Sequence, residues 1–121
     1  MTEIRDVLKT AFINFDLSAT EKKAAISELA GTFVAEGVVT NESVYLEAVM
    51  KREAESTTGI GFGVAIPHGK SSAVTEPSLA FGRSQAGIQY DSMDGQSVHL
   101  MFLIACLLYT SDAADELDGV D

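Results

Sequence analysis

The stretch VHLMFLIA, from Val98 to Ala105, is the strongest indication of the fold in this sequence. A run that is apolar at nearly every position and has the length of a strand is typical of a strand buried on both faces. It therefore predicts the central strand of a sheet. Upstream, Leu79–Phe81 and Gly87–Tyr90 are predicted as shorter strand pieces. Asp91–Gly95, which ends in Asp-Gly, has the composition of a hairpin turn.

Two amphipathic helices are predicted nearer the N-terminus. Apolar residues recur at helical spacing from Thr20 to Glu36, and Ser18–Glu21 has the hydroxyl-to-carboxylate pattern of a capping box. Gly37 follows where a left-handed C-cap is expected. Asn41 is an N-cap candidate for the second helix, which is predicted to end near Glu55.

The remaining segments complete an α/β prediction. Phe12–Leu17 and Val64–Ile66 are predicted as short strands, and Pro67 ends the second because proline cannot donate to a sheet ladder. Lys70–Pro77 is polar and turn-like. Helices followed by several strands favour one α/β domain with a mixed β-sheet flanked by helices.

Charge and cysteine content exclude several classes of function. The 121 residues include 8 Lys+Arg and 18 Asp+Glu, so the net charge is −10 and nucleic-acid binding is not expected. A single cysteine, Cys106, excludes a disulfide framework and a cysteine-based zinc site. The start of the chain has no signal-peptide pattern, and the apolar run from Val98 to Tyr109 is too short to span a bilayer. A cytoplasmic domain with no membrane insertion is expected.

The chemistry-bearing stretch runs from Ser56 to Lys70 and contains His68 between Pro67 and Gly69. Proline restricts the backbone before the histidine, and the glycine is expected to leave space beside the imidazole. An imidazole with a pKa of about 6.5 offers a neutral nucleophilic nitrogen at pH 7. Covalent catalysis through His68 is therefore chemically reasonable.

A phosphorylated imidazole would need cationic or amide-rich surroundings. The predicted glycine-rich loop Ser56–Gly63 can direct backbone N–H groups at an anion, and Arg52 can make a bidentate contact with phosphoryl oxygens. Lys70 is a weaker candidate. Simpler interpretations stay open: the glycines only shape a loop, and Arg52 is a solvated residue paired with Glu53 or Glu55. For His99, we favour a strand-end histidine with a polar partner over a functional role.

The combined motif resembles a known family. Arg52-Glu53, Ser56–Gly61 and Ala65–Lys70 are similar to the signature of enzyme IIA domains of the fructose/mannitol class. These domains belong to the bacterial phosphoenolpyruvate-dependent sugar phosphotransferase system. Gly87–Gln96 and Val98–Ala105 extend the resemblance and are most similar to the fructose branch.

This resemblance implies a phosphotransferase mechanism. His68 would accept a phosphoryl group on Nε2 from the carrier protein HPr and pass it to a cysteine of an enzyme IIB domain, which serves the sugar permease. Arg52 matches the family arginine beside the active site. Four further residues match the surroundings of the phosphate: Thr58, Gly61, Pro67 and Gly69. No metal or organic cofactor is expected, because both transfers run between protein side chains.

The family also suggests an alternative and shows a departure. Nitrogen-related regulatory phosphoproteins carry the same histidine but act by binding partner proteins. Members usually have a second histidine on a helix that follows the apolar strand. This sequence has none there, so whether the 121-residue chain is itself active stays open.

The C-terminal residues depart from the family pattern. We interpret residues 1–105 as an incomplete fructose-type enzyme IIA domain. Residues 106–121, CLLYTSDAADELDGVD, resemble the translation of a sequencing-library adapter and are expected not to be native.

Overall fold

The computed structural model describes residues 8–108 and shows a mixed β-sheet packed against helices. The helices are α1, Lys22–Ala35, and α2, Glu42–Glu55. The strands are β1 Ile13–Asn14, β2 Gly59–Gly61, β3 Val64–Ala65, β4 His68–Ser71, β5 Ser78–Ile88 and β6 Val98–Leu107. The predicted α/β class is confirmed. Neither helix is long and apolar enough to cross a membrane.

Strand β6 is central, as its apolar sequence predicts. It pairs with β5 in an antiparallel arrangement on one side and with β3 and β4 in parallel on the other. The strand order is β1-β5-β6-β3-β2, and β4 pairs with β6 off this path. The register places His68 opposite Ile104, and Leu79 opposite the same residue from the other side. These three side chains therefore point to one face of the sheet.

The helices cover one face of the sheet, while the other face is more open. On the covered face, Gly82 lies beneath Leu29 of α1 and Gly69 beneath Val49 of α2. This face consists of buried residues: Gly69, Ala80, Gly82, Met101, Leu103 and Ala105. On the opposite, open face the apolar residues are only half-buried among residues 8–108: Leu79, Phe81, Leu100, Phe102 and Ile104.

The helix termini test the capping predictions. Asn41 caps α2 by accepting a hydrogen bond from the Val44 N–H at 3.2 Å, and Gly37 has the expected positive φ of 77° after α1. The capping box is wrong, because helix α1 begins after Glu21 without a side-chain cap. Instead, the Ser18 N–H and hydroxyl donate hydrogen bonds to the carboxylate of Glu28, which lies within α1.

Several predicted strand boundaries are also wrong. The segment predicted as one strand from Phe12 to Leu17 contains only the two-residue β1, preceded by a 3-10 turn at Thr10–Phe12. The two predicted pieces, Leu79–Phe81 and Gly87–Tyr90, are joined in one long strand, β5, which ends at Ile88 and leaves out Gln89 and Tyr90. Lys70 and Ser71 belong to β4 rather than to a turn, because the parallel partner β6 supplies hydrogen bonds that local composition does not reveal.

Candidate active site

His68 is the first residue of β4 and is half-buried on the open face. Its ring Nδ1 lies 3.2 Å from the carbonyl oxygen of Ile66. Since a carbonyl can only accept, this contact favours, for the neutral ring, the tautomer with the proton on Nδ1 and the lone pair on Nε2. The neighbouring Pro67 carbonyl accepts the Ile104 N–H at 3.0 Å, which fastens the backbone before His68 to β6.

Arg52 lies in the last turn of α2, three residues beyond Val49, which contacts Gly69. Its Nη1 donates to the carbonyl of Ser56 at 3.0 Å. The pairing with Glu53 or Glu55 that a solvated arginine would make is therefore not the arrangement seen. The contact instead ties the guanidinium to the start of the glycine-rich loop.

Gly69 has a different role from the one expected. Because neighbouring strand residues point to opposite faces, its missing side chain faces α2 rather than the imidazole. A Cβ atom at Gly69 would lie 2.6 Å from Cγ2 of Val49. The prediction that this glycine leaves space beside His68 is thus wrong. Its lack of a side chain lets the helix approach the strand.

The prediction of a loop throughout Ser56–Gly63 is wrong in part, because Gly59–Gly61 forms β2 and turns back into the antiparallel strand β3 as a tight hairpin. Gly61 has a φ of 108°, a conformation that favours glycine, and Phe62 also has a positive φ, 58°. The Asp94 carboxylate accepts the Phe62 N–H at 3.0 Å. Backbone N–H donors at Gln96 and Phe62 lower the pKa of Asp94. The hairpin is therefore held by the turn that precedes β6.

Thr58 is buried, and its hydroxyl is already engaged. It donates to the Glu53 carboxylate and lies 2.8 Å from the hydroxyl of Tyr90. These contacts anchor the loop, and the place of Thr58 beside the phosphate stays a prediction. Glu53 and Tyr90 were not predicted as site residues. Glu53 stands next to Arg52 in the signature, but only the fold brings Tyr90 to it.

His99 has the polar partner expected of a strand histidine. Its Nδ1 lies 2.8 Å from the carbonyl oxygen of Ser84 on β5. His99 is exposed near the start of β6, five residues before Ile104, the neighbour of His68. The two histidines thus make the same kind of ring contact at separate places on the sheet.

Comparison with known proteins identifies the family. Residues 6–111 match the family described as "Phosphoenolpyruvate-dependent sugar phosphotransferase system, EIIA 2". The chain belongs to this EIIA family. This confirms the recognition made from the sequence motif and agrees with the mixed α/β fold.

Proteins similar to this chain include fructose-specific components and nitrogen regulatory proteins. The chain is 41% identical over 103 residues to the "PTS system fructose-specific EIIABC component" of Bacillus subtilis, covering 85% of this chain and 16% of that protein. It is 38% identical to the fructose-specific EIIA component of Haloferax volcanii, covering 86% of this chain and 68% of that protein. It is also 40% identical to the "Nitrogen regulatory protein" of Bradyrhizobium diazoefficiens, covering 84% and 65%. The chain thus spans only part of the length of each.

Solved structures share the EIIA fold. Nitrogen regulatory protein IIA-Ntr from Neisseria meningitidis superposes with a TM-score of 0.80 at 27% identity, over 95% of this chain and 77% of that one. The enzyme IIA of the Escherichia coli mannitol system, solved in complex with phosphorylated enzyme IIB, gives 0.72 at 21% identity, over 94% and 80%. These structures show that the chain has the EIIA fold, and its membership of the EIIA family makes it a component of a phosphotransferase system.

Proposed function

We propose that this chain is a phosphoryl carrier for fructose-type sugar uptake, with His68 as the phosphorylated residue. The observation that carries the proposal is the His68 Nδ1 contact with the Ile66 carbonyl, which leaves the Nε2 lone pair free to attack. The fructose-specific names of the two relatives support the sugar class. The domain would work in the cytoplasm, where HPr and enzyme IIB meet it.

The chemistry consists of two in-line displacements. In the first, the His68 Nε2 lone pair attacks phosphorus, and the P–N bond to the phosphohistidine of HPr breaks with its electrons returning to HPr. His68 becomes a phosphoimidazolium whose Nδ1–H still donates to Ile66. In the second, a cysteine thiolate of enzyme IIB attacks phosphorus, and the electrons of the N–P bond return to Nε2. The complex of a mannitol enzyme IIA with phosphorylated enzyme IIB supports this choice of acceptor.

The protein has to supply alignment and positive charge for these steps. Arg52, whose guanidinium is held at the start of the glycine-rich loop, is the proposed contact with phosphoryl oxygens. Gly61 and Pro67 shape the backbone on either side of β3, and Gly69 seats α2 close to β4. Thr58 contributes by fixing the loop.

The decisive experiment uses labelled phosphoenolpyruvate, enzyme I and HPr with the 121-residue chain. We expect acid-labile label on the wild-type chain and none on His68→Ala. His99→Ala is the matched control, because His99 makes the same kind of contact with a backbone carbonyl. Label that persists on His68→Ala, or disappears with His99→Ala, would contradict the assignment.

A second candidate function is regulation by phosphorylation-dependent binding of partner proteins. The 40% identity to a nitrogen regulatory protein and the TM-score of 0.80 with IIA-Ntr favour it. The two functions differ in where the phosphate goes. A fructose carrier discharges its label onto the cysteine of a fructose-specific enzyme IIB, whereas a regulator only exchanges it with HPr.

A further inference from the structure

A buried carboxylate, Glu53, lies at the C-terminal end of α2 and accepts four hydrogen bonds. The donors are the Thr58 hydroxyl, the Thr58 N–H at 3.3 Å, the Tyr90 hydroxyl at 2.9 Å and Lys22 Nζ at 3.1 Å. Its side chain is only 3% exposed. These donors come from α1, the loop before β2 and the segment after β5, so one carboxylate joins three separate parts of the fold.

A buried carboxylate lowers the stability of the fold unless its charge is compensated. Burial by itself raises the pKa of Glu53, but the hydrogen bonds from Thr58, Tyr90 and Lys22 outweigh it, and the pKa lies below its ordinary value. Glu53 is therefore charged at neutral pH. Lys22 supplies the opposite charge and also lies 4.6 Å from the centre of the Tyr90 ring.

The hydrogen bonds continue from this cluster to the proposed nucleophile. Thr58, held by Glu53 through both its hydroxyl and its N–H, uses its carbonyl to accept the Ile66 N–H at 3.0 Å. The carbonyl of the same Ile66 is the acceptor that faces His68 Nδ1. A displacement of Thr58 would therefore move the group that orients the imidazole.

We propose that Glu53 is a positioning residue for phosphoryl transfer, acting through Thr58 and Ile66 to hold His68 with its proton on Nδ1 and its lone pair on Nε2. The kinetic part of this inference rests on the proposed carrier function. The orientation of the ring does not depend on it. Small misalignments matter because an in-line displacement requires the attacking atom, phosphorus and leaving atom to be collinear.

The test compares Glu53→Gln and Thr58→Val with a matched control, Glu28→Gln. Glu28 also accepts backbone and hydroxyl hydrogen bonds, from Ser18 and Ala19, but it serves the start of α1. Thr58→Ser retains the hydroxyl and should restore wild-type behaviour. All variants are made in the 121-residue chain, and thermal unfolding verifies that each is folded.

The first measurement is the 15N spectrum of the His68 ring in the unphosphorylated chain. We expect Nδ1 of the wild type to have the signature of a protonated nitrogen and Nε2 that of an unprotonated one. In Glu53→Gln and Thr58→Val, the two signals should move toward a mixture of tautomers. Unchanged ring signals in both variants would overturn the proposal.

The second measurement is the rate of phosphoryl uptake from phospho-HPr. Glu53→Gln and Thr58→Val should lower kcat roughly tenfold with little change in KM, because the ring is misaligned while the docking surface is intact. An equal loss in Glu28→Gln would show a general effect of stability and would also overturn the proposal. If the wild-type chain takes up no phosphate, the carrier function fails, and the ring spectra still decide the positioning role.

Discussion

The covered and open faces of the sheet use the same strands for different purposes. On the covered face, Leu103 and Ala105 of β6 are fully buried beneath the helices, whereas Phe102 and Ile104 on the open face are half-buried. His68 lies on the open face and its neighbour Gly69 on the covered one. The alternation of a strand thus places the proposed nucleophile and the helix-packing glycine on adjacent residues. Packing on one side leaves the other side available to the chemistry.

The largest expected effect on stability comes from a comparison of two truncated side chains of β6, one on each face of the sheet. Leu103→Ala should lower the free energy of unfolding by about 2–5 kcal/mol, because it leaves a cavity under the helices. Phe102→Ala removes a larger side chain but should cost less, since Phe102 is already partly in water. Urea unfolding of both variants measures the difference. Equal losses would show that the two faces are packed alike.

The next effect concerns the glycine that faces α2. Gly69→Ala should lower the free energy of unfolding by about 1–3 kcal/mol, because the new Cβ would press on Val49. Gly31→Ala in α1 is the matched control. Apart from the neighbouring residues and backbone of its own helix, nothing lies within 4 Å of a Cβ at Gly31, so alanine should stabilise the helix by about 0.5–1 kcal/mol. Destabilisation by both substitutions, measured by thermal unfolding, would remove Gly69 from the packing argument.

A smaller effect on stability is expected from a change in pH, because it changes the protonation of Glu53 near the end of α2. Its pKa is lower in the folded than in the unfolded chain, where it is about 4.3. It therefore contributes stability at pH values above 4.3, and this contribution is lost as the pH falls through the folded-state pKa. The stability difference between the wild type and Glu53→Gln should shrink in acid. A difference that stays constant from pH 7 to about pH 3 would contradict this sign.

The smallest effect on stability is expected at Arg52. Arg52→Ala removes a half-exposed side chain whose hydrogen bond goes to a local carbonyl, so the free energy of unfolding should change by no more than about 0.5 kcal/mol. The rate of phosphoryl uptake should nevertheless fall about tenfold, because a contact with the developing charge is lost. Arg52→Lys, which keeps the charge but not the planar fork, should be intermediate. An unchanged uptake rate would assign Arg52 to loop structure alone.

Local sequence patterns predicted which helices and strands exist better than they predicted the residues at which these begin and end. The apolar run at Val98–Ala105 correctly indicated the central strand, and Asn41 correctly indicated a helix start. The capping box predicted at Ser18 was wrong because the Ser18 N–H donates to the carboxylate of Glu28 within α1. The strand at Lys70 was missed because β6, where Cys106 lies opposite Lys70 in the register, is distant in sequence.

The sequence by itself determined the family, the α/β class and the candidate histidine, since these depend on residue types at short, fixed spacings such as Ala65–Lys70. The tertiary structure decided which face of the sheet each residue lies on and which side chains meet. It turned Gly69 toward the helix, His68 toward the open face, and Tyr90 toward Glu53 across 37 positions of sequence. A buried carboxylate is satisfied by whichever donors the fold brings within about 3 Å, and no pattern along the chain records that proximity.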